Sequence, residues 1–152
     1  IWILPNEKGL TPNYGDMMFD PSERKNKLLH IVSNHDKGGK IFINQEADIY
    51  VGEFDENQEL DISLDGHDYI YLVLIEGEIG ANSILVQQQD SLESSEDLKI
   101  KIQKKSHLLV LKVNEFGVLE IKLIFFIFFK NLLAKEKSNC IFANAFKEMN
   151  FS

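Results

Sequence analysis

The four histidines decide whether this chain can hold a catalytic metal. They are His30, His35, His67 and His107, and no two of them stand one, three or four residues apart. An iron or manganese centre needs three or four histidine or carboxylate ligands that converge on one point. Two ligands supplied by one strand or one helical turn would show such short spacings. The sequence therefore predicts no metal ligand and no metal-dependent catalytic residue.

The other groups that could do chemistry are one thiol and the serines. Cys140 has no histidine near it in the sequence, and a thiol without such a partner is passive. No serine lies in a glycine-x-serine-x-glycine turn, and no glycine-rich phosphate loop is present, since Gly38-Gly39 is only a turn. We therefore expect no catalytic nucleophile and no cofactor-binding residue.

Carboxylates are grouped at two places. The run Glu93-Ser94-Ser95-Glu96-Asp97 could hold a hard cation such as calcium, but a charged run of this kind is more often a solvated loop. Glu76 and Glu78 flank Gly77 and are expected to face water from a turn. His67 stands alone, and a surface histidine just before a strand is the commoner case.

One apolar stretch organises the rest of the chain. Tyr69 to Ile75 is seven consecutive apolar or aromatic residues, bounded by Gly66 and Gly77. This pattern predicts a central strand that is buried on both faces and is too short for an ordinary helix. The segment Glu76-Gly77-Glu78 is predicted to be a tight turn, followed by a short return strand.

Short alternating segments surround that strand. Leu60, Ile62 and Leu64 alternate with polar residues, which gives one buried and one solvated face. A polar turn of hairpin length is expected at 55–57, and a solvated or single helical turn at 21–27. The predicted flanking strands are Lys40–Asn44, Ala47–Phe54, Glu59–Leu64, Leu98–Ile102 and Leu108–Val113. Strands at this spacing predict an all-β sandwich or small barrel.

Composition excludes several classes of partner. The chain of 152 residues has a net charge of −8, and nucleic acids and anionic membranes both require basic patches. One cysteine excludes an internal disulfide and suits a reducing cytoplasm. The apolar run Leu123–Phe129 is too short to span a bilayer, which needs about 20 such residues. We expect a cytoplasmic protein that binds neither nucleic acid nor membrane.

The segment Gly66 to Gly80, GHDYIYLVLIEGEIG, resembles the first conserved box of the cupin barrels. The resemblance implies a double-stranded β-helix. In catalytic cupins this box supplies two histidines and a glutamate to a metal. The corresponding positions here fall near Leu64, Gly66 and Ile70, and a second-box histidine would fall at Leu92. None of these residues can bind a metal.

The first twenty residues, IWILPNEKGLTPNYGDMMFD, resemble the interdomain linker of bacterial pirin-like bicupins, a group that includes quercetin 2,3-dioxygenase-type proteins. Residues 27–33, 38–54, 83–90 and 107–113 resemble successive strands of the second cupin in that family. The resemblance therefore covers roughly residues 1 to 113. It implies that the metal of the family lies in the first cupin, so that no cofactor is expected in this chain.

Three regions follow from these patterns. Residues 1–20 form an interdomain-type linker and edge strand, 21–113 a C-terminal cupin-like domain, and 114–152 a tail. The tail contains eight of the eleven phenylalanines and has no counterpart in the family. Helical spacing of Ile121, Phe125, Phe128 and Leu132 predicts a short α-helical extension. We interpret the tail as an acquired, read-through sequence.

Three functions remain open at this stage. The first is a non-catalytic C-terminal cupin with a structural or interaction role, from a truncated bicupin. The second is part of a dioxygenase whose metal-binding cupin is missing or lies on another chain. The third is a small-molecule-binding barrel with His67, Tyr69 and Tyr71 near its mouth. The chain alone is expected not to be an enzyme.

The N-terminal strand suggests a partner. In a two-barrel arrangement, Ile1, Trp2 and Leu4 would pack partly against the first cupin. Without that domain an apolar patch would remain, and such patches mark contact surfaces. We therefore expect either a separate N-terminal cupin or self-association through this end.

Overall fold

A computed structural model describes Ile3 and residues 5–11, 15–34 and 38–114. These residues form one 3₁₀ turn and eight strands. The turn is Pro21–Glu23, and the strands are β1 (Leu29–Ser33), β2 (Ile41–Phe42), β3 (Ala47–Phe54), β4 (Glu59–Ile62), β5 (Tyr69–Ala81), β6 (Ile84–Gln87), β7 (Ser91–Ser94) and β8 (Leu98–Val113). The all-β prediction is confirmed. The predicted helical tail lies outside the described residues.

The strands form one mixed sheet around β5 and β8. Its order is β2-β1-β3-β8-β5-β6, with β4 on β8 and β7 on β5. All pairs are antiparallel except β1 with β2. The prediction of a central strand at Tyr69 is confirmed, because β5 pairs with β8 on one side and with β6 and β7 on the other.

Alternation along β5 divides the core into two clusters. Ile70, Leu72 and Leu74 point to one face and are fully buried, in what we call the inward cluster. Tyr71 and Val73 point to the other face and belong to what we call the outward cluster. Successive side chains of a strand alternate between faces, so both faces of the central strands are covered with apolar groups.

Three local predictions are wrong. Residues 76–78 form no turn; they lie inside β5, where its register against β8 shifts and Gly77 adopts a φ of 101°. The two strands predicted at 98–102 and 108–113 are one strand, β8, whose first half pairs with β4 and second half with β3. The third, a solvated loop at 93–97, is wrong only for its first two residues, which belong to β7 and pair with β5, since residues 95–97 are exposed and lie outside the strand.

The polar turn predicted at 55–57 is present, with Asn57 at a φ of 66°, but it is not a hairpin turn, because β3 and β4 run in the same direction along β8. Both β3 and β4 pair instead with β8. The helical turn predicted within 21–27 is confirmed as the 3₁₀ turn, whose start is capped because Asp20 Oδ1 accepts from Ser22 N at 2.8 Å.

The end of β8 yields a testable domain boundary. Val113 pairs with Ala47 of β3 and with Tyr69 of β5, so β8, the last described strand, is paired on both sides up to its final residue. A chain that ends after Asn114 should therefore fold into the same all-β domain, although with lower solubility. Circular dichroism and a cooperative thermal transition would check this. A truncated chain that stays unfolded would place the tail in the core and move the boundary.

Candidate functional site

The four-residue turn 64–67 places His67 in the interior. Asp65 and Gly66 adopt left-handed backbone conformations, with φ of 52° and 87°. His67 N donates to Leu64 O at 3.0 Å, which closes the turn. The imidazole points inward, and its side chain is 3% exposed. The expectation of a surface histidine is therefore wrong: the turn folds the ring beneath the sheet instead of projecting it into water.

Asp48 is the centre of a buried polar cluster. It lies near the start of β3 with its side chain 5% exposed. Oδ1 lies 2.9 Å from His30 Nε2, and Oδ2 lies 3.1 Å from His67 Nε2. One carboxylate thus bridges two imidazoles from β1 and from the turn before β5. We call His30, Asp48 and His67 the His–Asp–His cluster.

The hydrogen bonds of His67 constrain its protons. Nδ1 lies 3.0 Å from Leu64 O, and a carbonyl oxygen only accepts, so Nδ1 donates. In a neutral ring Nε2 would then present a lone pair toward the Asp48 carboxylate. Nε2 is indeed close to Oδ2 without making an aligned hydrogen bond.

Tyr50 and Lys112 extend the cluster along the same face. The rings of His30 and Tyr50 are stacked, with centroids 4.4 Å apart and planes 18° apart. Lys112 Nζ lies 5.0 Å from the Tyr50 centroid and contacts Asp65 Oδ2. Burial raises the pKa of Tyr50 to about 12, and the carboxylates of Asp48 and Asp65 add to the shift. The Tyr50 hydroxyl group therefore stays neutral, and the ring of Tyr50 packs against His30 and Lys112.

The remaining sequence-predicted residues are dispersed. Tyr69 and Tyr71 lie on the opposite face of β5, in the outward cluster, away from His67. His107 is half-buried on β8, opposite Glu53 and Glu76 in the strand register. Ile1, Trp2, Leu4, His35 and Cys140 lie outside the described residues, so their predicted roles stay predictions. Ile3, between them, does pack against the outward cluster.

The positions expected to carry metal ligands hold two leucines, an isoleucine and a glycine. Leu64, Ile70 and Leu92 all contact the inward cluster, and Gly66 has no side chain. Over the described ranges, no group of three or more histidine, cysteine, aspartate or glutamate side chains is arranged to hold a metal ion. The residues present therefore do not fit the metal of a catalytic cupin.

Two surface clefts are found in the described part of the chain. One has a volume of about 300 Å³ and is lined by Pro21, Ser22, Lys25, Glu53, Asp55 and Lys105. The other has about 240 Å³ and lies between residues 6–10 and the segment 42–46. Neither is lined by the inward cluster or by the His–Asp–His cluster. The core residues of the inward cluster are packed interior, with none more than 3% exposed.

Sequence reasoning missed Asp48 and His30, although one signal was available. In β3 the residues Asp48, Tyr50 and Phe54 share a face with Gly52, while Ala47, Ile49 and Val51 share the other. A carboxylate on a strand with two apolar faces is costly to bury unless it finds a partner. The alternation could therefore have prompted a search for cations or imidazoles facing Asp48.

The fold defines the class of protein. The crystal structure of the bacterial pirin YhhW from Escherichia coli in complex with nickel(II) superposes with a TM-score of 0.66 at 17% identity, covering 74% of this chain and 48% of that one. Quercetin 2,3-dioxygenase from Acinetobacter baumannii superposes with a TM-score of 0.50 at 15% identity, over 57% and 32% of the two chains. The chain has a cupin fold.

The sequence identifies the family. Residues 30–113 match the family model for the quercetinase C-terminal cupin domain, and the chain belongs to this family. It is also 23% identical over 106 residues to the quercetin 2,3-dioxygenase of Escherichia coli K12, covering 70% of this chain and 45% of that protein. The chain spans about half the length of the curated relatives it matches. The predicted pirin-like resemblance is confirmed.

Among the described residues, no helix is both long and apolar enough to cross a membrane.

Proposed function

We propose that this chain is a non-catalytic C-terminal cupin domain of a pirin-like protein, with a structural or interaction role and no cofactor of its own. The observation that carries the proposal is the packing of Leu64, Ile70 and Leu92. These residues stand where a catalytic cupin places metal ligands, and all three join the apolar inward cluster. Iron, nickel and manganese need nitrogen or oxygen donors, which aliphatic side chains lack.

The His–Asp–His cluster supports a structural role for the polar residues that remain. Its carboxylate is bracketed by two imidazoles, and one imidazole is tied to a backbone carbonyl. Each group is therefore used to hold β1, β3 and the 64–67 turn together. Buried polar networks of this kind fix one arrangement of the elements that contribute to them.

Partners and location follow the same proposal. A first cupin on a separate chain, or a second copy of this chain, is the proposed partner. The net charge of −8 argues against nucleic acid. One cysteine in 152 residues supports a cytoplasmic location.

A second candidate function is favoured by the names of the relatives. Those proteins are named quercetin 2,3-dioxygenases, and one pirin with this fold is described in complex with nickel(II). Under this alternative, the chain would be the metal-free half of a dioxygenase, with the metal-binding cupin missing or supplied by another chain. A small-molecule-binding barrel is less favoured, because Ile70, Leu72 and Leu74 are fully buried and fill the inward face.

Metal content distinguishes these functions. The purified full-length chain, incubated with iron(II), nickel(II), manganese(II) or zinc(II) and then desalted, should retain far less than one metal per chain by elemental analysis. It should also not consume quercetin with any of these metals present. Retention of one metal per chain that is lost in His67→Ala would contradict the non-catalytic role. Turnover that begins only when a separate first cupin is added would favour the second candidate.

A further inference from the structure

The edge strand β6 differs in charge from the edge strands β4 and β7. The segment from Ala81 to Gln89, ANSILVQQQ, contains no charged residue. By contrast, β4 carries Glu59 and Asp61, and β7 carries Glu93. Charged side chains on an edge strand discourage pairing with another chain. Among the strands described, β6 is the longest edge that lacks this protection.

The exposed side chains of β6 are apolar. Ile84 and Leu85 are each 54% exposed, although the strand that carries them is paired along its other side with β5. Val86, the next residue of the strand, is buried. Two consecutive exposed aliphatic residues on an open edge are a template for β-strand addition.

The ladder determines which backbone groups face the open edge. A two-residue turn, Asn82-Ser83, joins β5 to β6, so the closing pair Ala81–Ile84 is hydrogen-bonded and the pair Gly80–Leu85 is not. Gln87 is two residues beyond Leu85, so its backbone groups point in the same direction. Its N–H donates to Asp90 Oδ2 at 2.9 Å instead of to β5. The N–H and C=O of Leu85 therefore point away from the sheet.

Both ends of β6 are anchored. Asn82 Oδ1 accepts from Lys99 N at 2.9 Å, and Asn82 N donates to Lys99 O at 2.9 Å. At the other end, Asp90 N donates to Gln87 O at 2.9 Å. The strand is thus held in its extended form before any partner arrives, which lowers the entropy cost of pairing.

We propose that β6 is a self-association edge, at which two copies of the chain pair antiparallel about a two-fold axis between their Leu85 residues. In this arrangement each Leu85 N–H donates to the C=O of the partner's Leu85, and the two leucine side chains meet on one face. We favour a second copy of the chain as the partner, because a two-fold axis places each residue of β6 opposite a residue of the same uncharged strand. For a chain of net charge −8, an uncharged edge is where such an approach avoids like-charge contacts.

The size of the edge predicts a weak dimer. Stable interfaces bury about 1,200–2,000 Å² in total, and a four-residue strand supplies only part of that area. Association should therefore be reversible and concentration-dependent. It does not depend on whether the chain is catalytic, because no residue of the His–Asp–His cluster lies on β6.

Sedimentation velocity of the full-length chain over about a hundredfold range of concentration tests the proposal. The average mass should rise toward that of a dimer. Leu85→Lys should weaken association at least about tenfold by placing two like charges at the axis. Leu85→Pro should do the same by removing the outward N–H, which the β5–β6 ladder does not use.

Ile75→Lys is the matched control. It makes the same change of charge at an exposed apolar residue, 39% exposed, which lies outside β6 where the register of β5 against β8 shifts. This variant should dimerise like the natural chain. A monomer at every concentration, or equal dimerisation of Leu85→Lys and the natural chain, would overturn the proposal. So would association that survives Leu85→Lys and is lost in Trp2→Ala.

Hydrogen exchange provides a second measurement that needs no variant. Protection of the Leu85 N–H should increase with protein concentration, while exchange at Ile75 stays constant. An unchanged Leu85 rate would overturn the proposal. Neither experiment reads metal content or turnover, so a negative result leaves the proposed function in place.

Discussion

Replacing Gly77 by alanine should lower the free energy of unfolding by about 3 to 5 kcal/mol. Gly77 lies in β5 with a φ of 101°, a conformation that residues with a side chain rarely adopt. An added Cβ would also come within 2.2 Å of Ser106 Oγ and 2.4 Å of Lys105 O on the neighbouring strand. Backbone strain and overpacking therefore add at the same position. Urea titration followed by circular dichroism would measure the shift of the midpoint.

Gly80→Ala is the control for that measurement. Gly80 lies on the same strand, and its added Cβ would meet only Gln103 Nε2, at 3.5 Å. Its effect should stay within about 1 kcal/mol. Equal midpoints for the two variants would show that the close approach of β8 at Gly77 is not a constraint.

Replacing Asp48 by alanine should cost about 1 to 3 kcal/mol of stability, because it leaves two imidazoles without their shared carboxylate. The side chains of Asp48 and His67 are only 5% and 3% exposed, so water does not replace the lost contacts. Asp48→Asn should have a smaller effect, since its amide keeps one acceptor oxygen in the same volume. Chemical denaturation of the three proteins at one pH would rank them.

Asp61→Ala is the matched change at an exposed carboxylate of β4, and it should shift stability by no more than about 0.5 kcal/mol. A comparable loss in both variants would indicate a general effect of charge. A stable Asp48→Ala protein would show that the cluster contributes little to holding β1 and the 64–67 turn.

Much of the fold could be predicted from alternation and apolar runs alone. The bounds of β3, Ala47–Phe54, match the prediction, and the alternation of Leu98, Ile100 and Ile102 correctly indicates one buried face. These signals are local, because a strand with one buried face has an apolar residue at every second position. The family resemblance added the topology, which alternation does not contain.

The wrong strand and turn predictions fall where one sequence pattern is compatible with two local structures. A glycine between polar residues marks a turn or a bulge equally well, and at Gly77 the neighbouring β8 selects the bulge. In β8 the polar run Gln103-Lys104-Lys105 resembles a loop, yet β5 pairs across it. Pairing partners distant in sequence decide both cases.

The candidate site was hardest to predict. His30, Asp48 and His67 are separated by 18 and 19 residues and come from three different elements. No spacing rule links them, and only the register of β1 with β3 and the direction of the 64–67 turn bring them together. His67 is the one member that the sequence analysis names as a candidate, and its neighbourhood of polar turn residues suggested exposure instead of burial.

The position of β8 in the chain has a consequence for how the domain folds. β8 is the last described strand, and it provides the pairing edge for β3, β4 and β5. Residue pairs such as Ala47–Val113 close loops of more than sixty residues before any of their contacts form. Chains dominated by such distant pairs fold slowly, and their unpaired strands remain exposed meanwhile. During synthesis, the apolar strands β3 and β5 therefore stay without their shared pairing partner until residues 98–113 have been made.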